Sequence, residues 1–428
     1  MHATIPCSPP SPWRIALAGA VALAAVMGLG RFAFTPMLAL MVEGGLVDLH
    51  EGSWLATLNY IGYLLGALLC MALPWLLRRH GQGSVRALSP ALMLTALLTT
   101  AALLAAMAWP APWLWRVARS LAGVASGIGF VHTAGWCLEQ LALRQAPKLG
   151  GLIFTGPGLG IVASGLVASL LARLAWPPWA IWAALAALGL AMAAWVAQVV
   201  RQSLLWPPAP AAAAAPDAEP AAPHAPNAPW RWEHGLLAAA YGLAGLGYII
   251  TATYLPVIAQ LAIPGSPWIG LFWPVFGVCV AIGAASTGWI SPQADRRWLL
   301  MACYLVQALG VALPLWWPNS LGFVLGSVLL GLPFTVITLF GMQEARRLRP
   351  GQATAFMGAL TMLYGLGQIA GPPLVVRLMG WAGDAQRGFA LALGAAALSL
   401  LAGAALYGVM LGLERAKRKN TNYQSKEI

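Results

Sequence analysis

Long apolar segments alternate with short polar stretches along almost the whole of this chain. Twelve segments hold about 20 residues or more, the length that an α-helix needs to cross the hydrocarbon core of a bilayer. The pattern predicts an all-α membrane protein with twelve transmembrane helices. The predicted segments are 15–41, 52–77, 87–109, 113–138, 149–173, 178–200, 234–261, 268–290, 298–317, 320–343, 353–379 and 388–413.

No apolar periodicity can form between the sixth and seventh segments. Of the 23 residues in 207–229, 8 are Pro and 11 are Ala, a composition typical of a partly polyproline linker. We therefore predict four parts: an N-terminal six-helix half (1–200), a cytoplasmic Pro/Ala-rich linker (201–232), a C-terminal six-helix half (233–413) and a basic cytoplasmic tail (414–428).

The two halves share short motifs at a nearly constant spacing. Gly28-Leu-Gly30 in the first segment recurs as Gly245-Leu-Gly247, 217 residues later. Four such matches in register predict two pseudo-symmetric halves, a plan in which secondary transporters place the substrate site between the repeats. The other matches are Gly66-Ala67 with Gly283-Ala284, Arg78-Arg79 with Arg296-Arg297, and Gly156-Pro157 with Gly371-Pro372.

Composition and charge agree with this interpretation. The chain is 60% hydrophobic and only 8% charged, whereas a soluble chain carries about 25% charged residues, so a soluble enzyme is excluded. The net charge of +12 does not indicate nucleic-acid binding, because the basic residues lie in short clusters between apolar segments. With the N-terminus inside, 18 Lys and Arg fall on the cytoplasmic side and 4 outside. This bias predicts an inner-membrane protein with both termini in the cytoplasm.

The sequence offers little support for catalysis. Its five cysteines are scattered and show no metal-ligand or redox spacing. No nucleophile–base set and no P-loop sequence is evident, so we expect neither an enzyme nor ATP-driven transport, and no cofactor. The first apolar segment runs past signal-peptide length, and we expect it to be retained as a helix.

One charged residue stands near the centre of the first segment. Arg31 follows Gly28 and Gly30, which allow a neighbouring helix to approach closely, and precedes Pro36, which favours a bend just past the charge. A charge at this depth costs about 2.5–3.5 kcal/mol on insertion scales and usually faces a water-filled interior. Arg31 is therefore a candidate for contact with a substrate, and capping of a kink in its own bundle is the structural alternative.

Arg119, in the fourth segment, is a second intramembrane arginine, for which hydrogen bonding between helices is the alternative to a functional role. No Asp or Glu occupies the middle of an apolar segment. Two buried arginines without buried acids favour an anionic substrate, because the planar guanidinium group suits carboxylate or phosphate. A cation exporter would more naturally present a membrane-embedded acid.

Further polar and aromatic residues are candidates for the wall of a central cavity. Tyr248 occupies the repeat position of Arg31, and Asn59 shares a face of the second helix with Tyr63. His132 and Glu139 could relay protons towards the cytoplasm, although a neutral histidine bonded to a neighbouring helix is the simpler interpretation. The other candidate wall residues are Trp273, Thr335 with Thr338, Tyr364 and Gln368.

Several motifs resemble the major facilitator superfamily over the whole chain. Arg119-Ser-Leu-Ala-Gly123 is similar to its Arg-x-x-x-Gly motif, and Gly156-Pro157-Gly158-Leu-Gly160 is similar to its antiporter-type Gly-Pro-x-x-Gly motif, echoed by Gly371-Pro372. The loop after the second segment lacks the family's Asp, whereas Asp295-Arg296 keeps it in the second half. Gly-Leu-Gly-Arg-Phe in the first segment, with Asn59-Tyr60-Ile61-Gly62-Tyr63 in the second, resembles the YbfB/YjiJ-like subgroup, a resemblance that implies no particular substrate.

The resemblance implies a secondary transporter that works by alternating access, and the arginines favour a small organic anion as its solute. The glycine-rich motif of the fifth segment is expected to serve bending and close packing. We expect a monomer in the lipid bilayer, with a small-molecule solute as partner. A proton-linked exporter of amphipathic compounds is one alternative. A non-transporting membrane sensor or assembly partner is another, although the linker and the tail are too short and polar to form a soluble output domain.

Overall fold

The computed structural model describes residues 10–79, 85–206, 232–291 and 294–424. Within these ranges it holds twelve helices that are long and apolar enough to cross a membrane, and no strand. The predicted all-α, multi-pass architecture is thus confirmed. The helices are α1 Pro12–Glu43, α2 Leu49–Leu77, α3 Ala87–Met107, α4 Pro112–Leu143, α5 Pro147–Arg173, α6 Pro178–Leu205, α7 Trp232–Ala262, α8 Ile269–Trp289, α9 Arg296–Trp316, α10 Ser320–Leu348, α11 Ala353–Ala382 and α12 Ala385–Leu413.

Local sequence explains several helix ends. The side chains of Asp295 and Asn319 accept hydrogen bonds from backbone N–H groups in the first turns of α9 and α10, at 3.0 and 2.9 Å. Gly383 ends α11 in the left-handed conformation, with φ 68°. The helix that contains α12 continues to Gln424, because the residues after Leu413 include many good helix formers.

Helix packing repeats between the halves. In the first half α2 packs on α4, α3 on α6, and α1 on α5; in the second half α8 packs on α10, α9 on α12, and α7 on α11. Gly66 lies against the backbone of Val124 in α4, and its repeat equivalent Gly283 lies against the backbone of Leu332 in α10. The two six-helix halves are therefore pseudo-symmetric, with small residues at corresponding close contacts.

The halves meet along three helix pairs: α1 with α7, α2 with α11, and α5 with α8. Two hydrogen bonds join positions that are 217 residues apart, from Thr35 Oγ1 to the Ala252 carbonyl oxygen at 2.6 Å and from Gln260 Nε2 to Glu43 Oε2 at 3.1 Å. Positions related by a two-fold axis can contact each other only where both lie next to that axis. The pseudo-two-fold axis therefore passes between α1 and α7.

The glycine-rich motif of α5 uses both of its faces for packing. Gly156 and Gly160 lie directly on the backbone of α1, where a Cβ at Gly160 would come within 2.7 Å of the Gly28 Cα atom. Gly158 points to the other side, where its Cβ would lie 2.6 Å from the Gly277 carbonyl oxygen of α8. One short motif thus fixes α5 against its own half and against the other half.

Parts of three predicted features fall outside the residues described, among them residues 425–428 of the basic tail. Most of the Pro/Ala-rich linker, residues 207–231, belongs to this group, as do residues 80–84 of the loop after α2.

Candidate functional site

The first helix changes its winding around Arg31. Residues Pro12–Leu23 are α-helical, Ala24–Phe32 form a π-helical segment, and Phe34–Glu43 are α-helical again. The sequence predicts a bend at Pro36, but the irregular segment lies before it. The reason is that Pro36 falls in the first turn of the renewed α-helix, where a missing N–H costs nothing. Short π-helical segments inside α-helices occur frequently at functional sites.

Side chains of α4 bind the carbonyl groups of this π-helical segment. Arg119 donates from Nη1 to the Gly30 carbonyl oxygen at 3.2 Å and from Nη2 to the Arg31 carbonyl oxygen at 3.5 Å. Ser126 Oγ donates to the Val26 carbonyl oxygen. The guanidinium carbon of Arg119 also lies 4.3 Å from the centre of the Phe34 ring. Arg119 therefore holds α1 against α4.

Arg31 points instead to the other half of the protein. Its Nη2 atom donates a hydrogen bond to Gln368 Oε1 in α11, and Gln368 Nε2 donates to Tyr248 Oη in α7 at 2.7 Å. Only 3% of Arg31 and 2% of Gln368 is exposed. The chain of contacts Arg31–Gln368–Tyr248 thus joins the two halves through a buried side-chain amide.

Aromatic rings surround the guanidinium group of Arg31. Its central carbon lies 4.2 Å from the ring centre of Tyr63 and 5.0 Å from that of Tyr60, both on α2. The ring of Phe32, next along α1, is 5.4 Å away. A cation at these distances is attracted by the negative faces of the rings. The rings partly offset the loss of water around Arg31, but they do not neutralise its charge.

No carboxylate among the described residues pairs with Arg31 or Arg119. The Nε atoms of both arginines are buried and have no hydrogen-bond partner, and the same holds for Trp273 Nε1. Such orphaned donors are uncommon in folded proteins and call for a physical explanation. The site thus presents positive charge and free donors, an arrangement suited to a ligand with acceptor oxygens. Acidic groups pair elsewhere, as Glu51–Arg116, Asp295–Arg297 and Glu344–Arg347.

The structure brings some of the predicted wall residues to Arg31 and places others apart. Tyr63, Tyr248 and Gln368 surround it, and Tyr364 stacks on Tyr248 with ring centres 5.7 Å apart. Asn59 faces α4, where its Nδ2 atom donates to the Arg119 carbonyl oxygen at 3.0 Å.

Trp273 and the two threonines of α10 lie farther along the wall. The ring of Trp273 lies 6.3 Å from that of Phe32. Thr335 and Thr338 are half-buried, and Thr338 Oγ1 bonds the Thr335 carbonyl oxygen at 2.8 Å. Phe334, their neighbour, contacts both Phe32 and Tyr248, with ring centres 6.2 and 4.9 Å away.

His132 of the predicted proton-relay pair contacts a neighbouring helix. The ring of His132 is buried, and its Nδ1 atom lies 3.1 Å from Ser89 Oγ in α3, while Nε2 has no partner. Glu139 is half-buried further along α4. His132 therefore makes the contact between neighbouring helices that the simpler interpretation describes.

Charged residues cluster at the end of the bundle where α1 begins. Asp295 binds Arg297 through both carboxylate oxygens, at 3.0 and 2.8 Å, and this arginine holds the pKa of the Asp295 carboxyl below its ordinary value. Arg296 Nε donates to Gln343 Oε1 of α10 at 2.6 Å. The Arg296–Gln343 bond ties the start of α9 to the end of α10.

Sequence reasoning missed three aromatic residues of the site: Phe32, Tyr60 and Phe334. Tyr60 lies three positions before Tyr63 and therefore on the same face of α2, a signal that could have found it. Its hydroxyl oxygen lies 2.7 Å from Thr253 Oγ1 of α7, across the boundary between the halves. Phe32 and Phe334 carried no such signal, because isolated apolar rings in membrane helices usually face lipid or the packed interior.

Comparisons with known proteins agree with the geometry. A family model described as "Uncharacterised MFS-type transporter YbfB" matches residues 23–407. No curated protein matches the chain by sequence. A point mutant of the nucleoside transporter NupG is similar in structure with a TM-score of 0.66, 13% sequence identity, and coverage of 92% of this chain and 99% of that one. The human organic anion transporter MFSD10 (TETRAN) has a TM-score of 0.58 and 17% identity, with 92% and 100% coverage.

Proposed function

This chain belongs to the family of YbfB-type transporters of the major facilitator superfamily, and we propose that it is a secondary active transporter of a small organic anion. The observation on which the proposal rests is Arg31, a buried cation that pairs with no described carboxylate and retains a free Nε donor. A guanidinium group in this state gains most from a planar anion such as a carboxylate. The similar MFSD10 structure is that of an organic anion transporter, which is compatible with this choice.

Alternating access would proceed by rocking of the two halves about a site near the bilayer midplane. The contacts of Thr35 with Ala252 and of Gln260 with Glu43 close the end of the bundle where α1 ends. Opening of that end must break these bonds, and separation of α1 from α11 must break the bond between Arg31 and Gln368. The anion would take the place of that bond and so couple its binding to the motion.

The bias of basic residues supports an inner-membrane location with both termini in the cytoplasm. In that orientation the end where α1 begins, with Asp295 and Arg297, faces the cytoplasm, and the end with Glu43 and Gln260 faces outward. The buried contacts between the two halves within one chain support a transporter that works as a monomer.

Uptake into proteoliposomes tests the proposal directly. The purified chain would be reconstituted and offered organic anions and organic cations, with and without imposed pH gradients. We expect concentrative or exchange transport of at least one anion, and its loss in Arg31→Gln, which keeps a polar side chain without the charge. Cation transport that is unaffected by Arg31→Gln would refute the anion proposal and favour an exporter of amphipathic cations.

A further inference from the structure

We infer that the anion is an aromatic monocarboxylate, whose carboxylate binds Arg31 while its ring packs among the aromatic side chains around that residue. This inference rests on the proposed function, because it specifies the substrate class of the same site. It follows from three features: the residues that pack the helices elsewhere, the arrangement of the aromatic rings around Arg31, and the number of guanidinium groups that are available to bind a ligand.

Helices within each half pack through small residues. Gly28 lies on Gly160, and Gly62 and Gly66 lie on the backbones of Ser120 and Val124. Lipid tails are as apolar as leucine, so helix association in a membrane draws on close backbone approach and does not require large apolar side chains. Aromatic pairs such as Phe272–Phe323 also pack elsewhere in the core, but the rings around Arg31 differ in that three of them lie within 5.4 Å of one guanidinium carbon.

The rings form two walls on either side of the Arg31 side chain. On the first half, Tyr60 and Tyr63 of α2 lie 5.0 and 4.2 Å from the guanidinium carbon. On the second half, Tyr248 bonds Gln368, which bonds Arg31, and the rings of Phe334 and Tyr364 lie 4.9 and 5.7 Å from that of Tyr248. A flat ring entering beside Arg31 meets aromatic faces and edges on both sides, which are the partners that aromatic groups prefer.

Two of these residues are partly accessible. Tyr63 and Tyr364 are half-buried, whereas Tyr60 and Tyr248 are 5% and 1% exposed. Tyr63 belongs to α2 and Tyr364 to α11, the helices that meet between the halves. The wall therefore has an accessible side at the boundary where a substrate must enter when the halves separate.

The number of available positive groups sets the charge of the ligand. Arg119 donates from Nη1 and Nη2 to the carbonyl groups of Gly30 and Arg31 and contacts the ring of Phe34, so both of its terminal nitrogens already bind α1 and only Nε lacks a partner. Arg31 gives one N–H to an amide oxygen of Gln368 and has Nε free. One carboxylate can replace the Gln368 oxygen and also accept from Nε. A second carboxylate would find no second guanidinium group whose terminal nitrogens are available, and its burial would therefore be costly.

Matched ligands separate the contributions of ring, charge and size. Binding to the purified protein in detergent would be measured by isothermal titration with benzoate, cyclohexanecarboxylate, phthalate and benzylamine, and uptake of the same compounds would be measured in proteoliposomes. We expect benzoate to bind at least about five-fold more tightly than cyclohexanecarboxylate, the size of effect that one or two ring contacts provide. Phthalate should bind more weakly than benzoate, and benzylamine should not bind.

Substitutions then assign the preference to the wall. Tyr63→Leu and Tyr364→Leu should reduce the ratio of benzoate to cyclohexanecarboxylate affinity towards one. Phe323→Leu is the control, because it also replaces an aromatic ring by leucine, in a stacked pair with Phe272 that does not contact Arg31. A loss of the ratio in Phe323→Leu as well would overturn the assignment.

The outcomes distinguish this inference from the proposed function. Equal binding and uptake of benzoate and cyclohexanecarboxylate would overturn the aromatic preference and leave an anion transporter. Tighter binding of phthalate than of benzoate would overturn the single charge. Transport of benzylamine without transport of any anion would overturn the inference and the proposed function together.

Discussion

The two buried arginines should respond in opposite ways to the same substitution. Arg31→Met and Arg119→Met both remove a charge from the membrane interior, which relieves a penalty of about 3 kcal/mol on insertion scales. They differ in what is lost. Arg31 gives up one hydrogen bond to Gln368 and its contacts with rings, whereas Arg119 gives up two bonds to buried carbonyl groups of α1.

The magnitudes follow from these contacts. For Arg31, one charged hydrogen bond of about 2 kcal/mol and a cation–π contribution of about 1 kcal/mol nearly cancel the relief of about 3 kcal/mol. For Arg119, the loss of two charged hydrogen bonds costs about 4 kcal/mol and the loss of the contact with Phe34 adds about 1 kcal/mol, so removal destabilises by about 2 kcal/mol. Arg31→Met should therefore leave stability near that of the wild type, and Arg119→Met should lower it.

Transport should be affected in the reverse order: more by Arg31→Met than by Arg119→Met. Arg31→Met should abolish anion uptake, whereas Arg119→Met should retain uptake with a similar KM after correction for the amount of folded protein. Stability would be measured by titration with SDS in mixed micelles, with the fluorescence of the 21 tryptophans as the signal. The reasoning would be refuted by an Arg119→Met protein that is as stable as the wild type but does not transport. That result would assign Arg119 to the substrate. Arg119→Lys is a useful companion, because one ammonium group cannot reproduce the guanidinium bonds to two carbonyl groups.

Three further predictions concern packing, motion and pH. Gly160→Ala should lower stability by about 1–3 kcal/mol, because the new Cβ meets the backbone of α1. Gly135→Ala is the control, because that helical position has open space around it. Equal effects of the two substitutions in an unfolding titration would contradict the packing argument. In a cysteine-free background, a short thiol-reactive cross-linker between Glu43→Cys and Gln260→Cys should stop transport, and release of the cross-link should restore it. Full transport by the cross-linked protein would show that the end of the bundle where α1 ends need not open. Finally, the folded-state pKa of Asp295 is lowered, so its stabilising contribution is present above about pH 4 and is lost as the pH falls further. Asp295→Asn should reduce the difference in stability between pH 7 and pH 3, by less than about 1 kcal/mol because the ion pair is partly exposed. A pH dependence of stability that is unchanged in Asp295→Asn would exclude this contribution.

The sequence was sufficient for the architecture of the protein. Twelve apolar segments of membrane-spanning length can form only helices in a bilayer, because every backbone polar group must be satisfied within the segment. Arg31 and Arg119 could be recognised as unusual for the same reason, since a charge in an apolar segment needs an explanation.

The distinction between the two arginines could not be derived from sequence. Both are arginines within apolar segments, and only the fold shows that Arg119 binds carbonyl groups of α1 whereas Arg31 crosses to Gln368. The π-helical segment could not be predicted from sequence either, because the composition of Ala24–Phe32 does not differ from that of an ordinary apolar α-helix. Donors of α4 such as Ser126, which are distant in the chain, bind carbonyl groups of this segment.

The contacts between positions 217 residues apart bear on the history of the molecule. If the halves descend from one six-helix chain, the ancestor was a homodimer in which each such position faced its own copy across the axis. A glutamate at the position of Glu43 would then have faced a second glutamate, and an arginine at the position of Arg31 would have been duplicated in the partner half. Fusion into one chain allowed the copies to diverge, so that Glu43 now faces Gln260 and Arg31 is matched by Tyr248. A binding site with one arginine and one orientation is available to a fused protein but not to a symmetric dimer.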